Sequence, residues 1–150
     1  MITIKRTHSE DPDFPFLTNL LDQALCDLYN TRQEDYADYN RITDLPTVVL
    51  AYDGTEPIGC GCFKIHDSEN IEIKRMYVLP QYRGRGLART LLKELEQWAL
   101  SLGYKRSILE TGKKQTEAIA LYTHLGYEPI AGYNAYDALE ISTCFAKSLI

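Results

Sequence analysis

The chain has no apolar run near the roughly 18 residues that a membrane-spanning helix needs. Its first ten residues, MITIKRTHSE, lack the apolar core of a secretory leader. A cytoplasmic protein with no membrane partner is the expectation. Four cysteines are present, but no two form a CxxC pair, and the three scattered histidines do not complete a zinc-ligand spacing. Cys26, Cys60, Cys62 and Cys144 therefore read as reduced, buried thiols, and no metal is expected. There is no Walker loop, since no Gly-Lys-Ser/Thr closes a turn, and no repeat, linker or low-complexity tract. At 150 residues, one domain spanning 1–150 is expected.

Charge is unevenly spread. The net charge is −5, which argues against nucleic acid as a partner. Residues 1–69 carry 5 Lys/Arg against 13 Asp/Glu, residues 70–114 carry 10 against 4, and residues 115–150 carry 1 against 4. One basic centre in an acidic chain suits a small polyanionic ligand better than a duplex.

Periodicity predicts alternating strands and helices. ITIKRT alternates as a strand, and Leu17, Leu20, Leu21, Ala24, Leu25 and Leu28 recur at helical spacing. TRQEDYADYNR predicts a short helix opened by Thr31 with Glu34 three residues on. TVVLAYD and PIGCGCFKIH read as strands joined at Asp53-Gly54, and NIEIKRMYVL as a third. Strict alternation in that third strand places Glu72, Lys74, Met76 and Val78 on one face. An amphipathic helix runs from Leu87 to Leu102 and stops at Gly103. KRSILET, TEAIALYTHLG and ISTCFAKSL add a strand, a helix and a last strand, giving a mixed α/β sheet with helices on both faces.

Between the third strand and the long helix lies QYRGRGLARTLL. Helix N-termini leave amides unpaired and carry partial positive charge, so anions settle there. Glycine admits positive φ and close backbone approach, and Arg83 and Arg85 can add charge-assisted hydrogen bonds. A plain glycine turn with both arginines in solvent is the bland alternative. A dinucleotide fingerprint is excluded, because Arg89 stands where a third small residue is required.

The stretch MYVLPQYRGRGLARTLL resembles the acyl-CoA-binding motif of the GNAT superfamily of acyl-CoA-dependent N-acyltransferases. The signature Gln/Arg-x-x-Gly-x-Gly/Ala is met by Gln81, Gly84 and Gly86, after a V-x-P strand end at Val78-Leu79-Pro80. LETGKKQTEAIALYTHLGYEPI resembles the family's second block, with Tyr122, Gly126 and Tyr127 in its Tyr-x-x-x-Gly-aromatic pattern. The two blocks cover about residues 70–130.

The resemblance implies a central mixed, mostly antiparallel sheet of about six to seven strands with helices on both faces. It implies acetyl-CoA as co-substrate, with pyrophosphate on the amides of Arg83, Gly84, Arg85, Gly86, Leu87 and Ala88, beside Gln81. The pantetheine arm would lie along the 71–78 strand, placing the thioester carbonyl near the amides of Met76, Tyr77 and Val78. Glu72 is the expected base, directly or through water, with Glu110 as second choice. Tyr122 is the expected acid to the departing thiolate. Gln115 stands where many family members have Asn on the cofactor arm.

Each of these residues has a plainer reading: an ion pair with a neighbouring lysine or simple exposure for Glu72, and one more packed aromatic for Tyr122. His66 and His124 are not expected to act. A non-catalytic acyl-CoA-binding regulatory module would keep the cradle without needing Glu72 and Tyr122. The acceptor is a small-molecule amine or a protein amino group, with Glu34, Asp35, Asp38 and Asp137 as carboxylates suited to a cation. Acyl groups other than acetyl stay open. An exposed last strand could pair across a homodimer.

Overall fold

A computed structural model describes residues 1–30, 44–133 and 142–150. The helix expected at 31–41 and the acidic residues Glu34, Asp35, Asp38 and Asp137 lie outside the described residues.

The elements follow the predicted order, with one unpredicted short strand, Glu128–Ile130, added before the last. They are β1 (Ile2–Thr7), α1 (Asp13–Tyr29), β2 (Val48–Asp53), β3 (Glu56–Ile65), β4 (Asn70–Val78), α2 (Leu87–Ser101), β5 (Arg106–Gly112), α3 (Thr116–His124), β6 (Glu128–Ile130) and β7 (Ser142–Ser148). A single turn of tight helix, Pro80–Tyr82, links β4 to α2. The seven strands form a sheet in the order β1-β2-β3-β4-β5-β7-β6. β1–β2, β2–β3, β5–β7 and β6–β7 pair antiparallel, and β4 pairs with β5 in parallel from Asn70↔Arg106 to Ile73↔Leu109. This is the mixed, mostly antiparallel α/β architecture expected. Among the described residues no helix is long and apolar enough to cross a membrane.

The chain divides into two compact units, Met1–Phe63 with Arg75–Leu95, and Lys64–Lys74 with Glu96–Ile150. In the first, Asp11 accepts the amide of Asp13 at 3.1 Å to start α1, and Asn30 ends it in the left-handed conformation. α1 buries Phe14, Leu17 and Leu21, while β2 and β3 bury Val48, Val49, Leu50, Ile58, Cys60 and Cys62. α2 presents Leu87, Leu91, Leu92 and Leu95 as its buried stripe, the a/d-type spacing that the sequence carries.

In the second unit, β5 and β7 bury Ile108, Leu109, Phe145 and Ala146. Gly103, at φ +98°, and Gly126, at φ +99°, close α2 and α3 as left-handed caps.

Three details differ from the sequence reading. β7 is flanked by β5 on one side and β6 on the other, so it is no exposed edge, and that ground for a dimer disappears. Arg75 sits at φ +60° inside β4. A left-handed residue interrupts the two-residue pleat, so one face cannot be carried from Glu72 through to Val78. Cys26 is only half-buried, unlike the other three free thiols.

Candidate active site

The arginine–glycine turn leaves its backbone open. Gly84 and Gly86 take φ +81° and +80°, and a Cβ on either would meet nothing within 4 Å among the described residues. The amides of Gly84, Arg85, Gly86, Leu87, Ala88 and Arg89 have no hydrogen-bond acceptor among the described residues; the next amide, Thr90, donates to the Gly86 carbonyl at 3.1 Å. Arg83 differs from expectation, because its amide is already donated to the Pro80 carbonyl at 3.3 Å. The open run is thus shifted one residue along the chain. The Leu87 side chain is buried, so that residue can offer a ligand only its backbone.

Both arginines are exposed, yet each has a partner. Arg83 donates Nε to the Val78 carbonyl at 2.8 Å and lies 5.4 Å from the centre of the Tyr77 ring. Arg85 lies 5.1 Å from the centre of the Tyr82 ring, whose hydroxyl donates to Asp53 at 2.8 Å. That hydrogen bond, with the N-terminal ammonium beside it, holds the Asp53 carboxyl below the usual range. The two cations are therefore pre-set over rings beside the open amides. Gln81 is exposed next to them.

Glu72 is buried, with 4% of its surface exposed, which excludes the reading of a solvent-facing residue. It accepts the Tyr133 hydroxyl at 3.0 Å, with Lys74 at 3.8 Å and Lys64 at 3.9 Å. Both lysines are within ion-pair range, as the plainer reading of Glu72 supposed. Glu110 accepts the Ser142 hydroxyl at 2.8 Å. Tyr133 faces both carboxylates: burial first, then Glu72, then Cys144 and Glu110 push its phenol pKa up, so it stays a proton donor. His66 stacks edge-on to the same ring at 5.4 Å. Tyr133 is the residue that sequence reasoning missed. A contact across 61 positions leaves no local signal.

Tyr122 is buried on α3, and burial alone raises its hydroxyl pKa. That hydroxyl has no hydrogen-bond partner among the described residues. Its ring packs edge-on to Tyr127 at 5.7 Å. Gln115 is the N-cap of α3, half-buried, with its side-chain amide free of hydrogen bonds among the described residues. His124 is exposed at the end of the same helix. Among the described residues no cluster of three or more His, Cys, Asp or Glu could hold a metal.

Open amides at a helix N-terminus, one short turn after a strand, make a site suited to an anionic group. The family model described as Acetyltransferase (GNAT) family matches residues 12–127. The chain belongs to that family. It is 43% identical over 84 residues to the Escherichia coli protein called uncharacterized N-acetyltransferase YjgM, a match covering 55% of this chain and half of that protein. It is 31% identical to an IAA acetyltransferase of Azospirillum brasilense over 99% of this chain and 98% of that one. Among solved structures, an acyl-CoA N-acyltransferase from Klebsiella pneumoniae superposes with a TM-score of 0.82 at 28% identity, covering 100% of this chain and 99% of that chain. A GNAT acetyltransferase from Elizabethkingia anophelis, solved with acetyl-CoA bound, shares the fold at TM-score 0.71 and 22% identity, over 98% and 97% of the two chains.

Proposed function

We propose that the protein transfers an acetyl group from acetyl-CoA to a primary amine by direct attack in a ternary complex. The observation that carries this reading is the run of six amides from Gly84 to Arg89 that have no acceptor among the described residues, spanning two glycines at positive φ. The group that such a run favours is a pyrophosphate, and in acetyl-CoA that group begins a long arm ending in a thioester.

In this reading the amides of Met76, Tyr77 and Val78 receive the thioester end and stabilise the oxyanion as the amine attacks the carbonyl carbon. Glu72 takes the proton that the attacking ammonium must lose, directly or through a water. Burial with a phenol donor keeps that carboxylate aimed. When the tetrahedral intermediate collapses, the carbon–sulfur bond breaks and the thiolate leaves with its electron pair. Tyr122 supplies the proton; its burial-raised pKa keeps that proton available at neutral pH. Gln115, whose side-chain amide has no hydrogen bond among the described residues, serves the cofactor arm.

Calorimetric titration with acetyl-CoA, with ATP and NAD as controls, tests the cofactor. Binding of acetyl-CoA alone supports the reading, and tighter binding to either nucleotide overturns it. Thiol release is then followed over a panel of primary amines, amino-terminal peptides and IAA, the last taken from the relative's name. Thiol release that no member of the panel accelerates in a chain that binds acetyl-CoA would favour a non-catalytic module.

A further inference from the structure

The left-handed residue of β4 is an arginine. Glycine takes φ near +60° at no steric cost, so a larger residue persists there only where its surroundings hold it. The Arg75 side chain shows what holds it. It is 5% exposed, its Nη2 donates to the Thr18 carbonyl at 3.1 Å, and the same nitrogen pairs with the Asp22 carboxylate, both on α1. Its backbone carbonyl lies 3.4 Å from the Cys60 Sγ of β3. Nε is buried without a partner among the described residues, and both contacts to α1 come from Nη2.

Directly after this kink come Met76, Tyr77 and Val78. The Met76 Sδ occupies the space over Gly61, and Val78 lies 3.5 Å from where a Gly59 Cβ would be. The segment is therefore packed on β3 at its far end and pinned to α1 through Arg75 at its near end.

We infer that the Arg75–Asp22 pair is a positioning clamp: it holds the β4 kink so that the amides of Met76 to Val78 aim at the thioester carbonyl. The clamp rests on the assignment of those amides to the thioester under the proposed function. A bulge next to a reacting group re-aims the backbone, and a displacement of about 1 Å at such donors costs about 100-fold in rate. A left-handed backbone fixed by an ion pair to a separate helix sets that aim independently of the cofactor cradle.

The test uses Arg75→Gly, Arg75→Lys and Asp22→Asn in the full chain, with acetyl-CoA labelled with carbon-13 at the thioester carbonyl. Arg75→Gly keeps the backbone conformation available while removing the guanidinium. It is expected to bind acetyl-CoA within about threefold of the parent, while the bound carbonyl resonance returns towards its free-solution position. Turnover, with whichever amine the parent acetylates, falls by about 100-fold. Arg75→Lys, which keeps one point of attachment to Asp22, is expected to recover part of both. An unshifted carbonyl resonance with parental turnover in Arg75→Gly overturns the clamp. So does a loss of affinity and folding in step, which would make the pair a stability element only.

Failure of the parent to bind acetyl-CoA counts against the proposed function and leaves the clamp to a ligand-free measurement. Amide hydrogen exchange at Met76 to Val78 is expected to speed up by at least about tenfold in Asp22→Asn. Unchanged exchange there overturns the inference by itself.

Discussion

Two G-x-G triplets stand 25 positions apart in this chain, Gly59-Cys60-Gly61 in β3 and Gly84-Arg85-Gly86 before α2, and they use glycine for opposite reasons. In β3, a Cβ at Gly61 would collide with the Met76 Sδ and lie 3.0 Å from Leu95, and one at Gly59 would lie 3.1 Å from Leu91 and 3.2 Å from the Tyr77 carbonyl. In the turn, a Cβ at either glycine would meet nothing within 4 Å among the described residues, yet both residues need positive φ. The first pair yields space to its neighbours. The second yields conformation and leaves the backbone reachable. Spacing alone does not separate the two; the surroundings do.

Substitution sharpens this contrast. Gly61→Val is the most damaging change expected, because a branched side chain must displace Met76 and Leu95 from a filled site. Overpacking of this kind costs about 3 kcal/mol, read as a lowered midpoint in urea with the affinity of the folded fraction for acetyl-CoA preserved. Next comes Gly84→Val, where the cost is left-handed strain in open space, about 2 kcal/mol. Its main effect is on ligand: acetyl-CoA affinity drops on the order of 100-fold, about 2.7 kcal/mol. A selective loss of affinity in Gly61→Val, or normal affinity in Gly84→Val, would erase the distinction between the two triplets.

Much of the architecture was legible because its periods are local. The α2 stripe at Leu87, Leu91, Leu92 and Leu95, the strand runs and the left-handed stops at Gly103 and Gly126 follow from spacing and from glycine's conformational range. β6 was not legible: three residues, Glu128–Ile130, carry no period and are a strand only through pairing with β7. The Arg75 kink was hidden for a different reason. An arginine in an alternating run reads as pleated strand, and only the α1 partners Thr18 and Asp22 make a left-handed conformation tenable. In the candidate site the glycine turn was readable from its own residues, whereas the Arg83 amide bond to Pro80 and the Tyr133 hydroxyl on Glu72 depend on folded geometry.

A second contrast gives smaller effects on stability and a larger one on chemistry. Tyr122 and Tyr127 belong to one sequence block, both are buried, and their rings touch. The Tyr127 hydroxyl meets the Glu96 carboxylate and the Ser107 hydroxyl, each at 2.8 Å, while Lys147 pairs with Glu96 at 3.0 Å. Tyr127→Phe strips a partner from a buried carboxylate and is expected to cost about 2 kcal/mol. Tyr122→Phe removes a hydroxyl that has no partner among the described residues, so stability should change by less than about 0.5 kcal/mol.

Burial holds both phenols protonated above the ordinary value of 10.0. A raised folded pKa adds stability that is lost as pH climbs past the unfolded value, so alkaline unfolding should begin above about pH 10. On the same ground turnover should show no falling limb from Tyr122 between about pH 7 and 9. Against its silent effect on stability, Tyr122→Phe should slow turnover at least about tenfold with acetyl-CoA affinity unchanged. Parental turnover in that variant would leave Tyr122 as packing and return the search for the acid to a phenol already bound to a carboxylate, Tyr133.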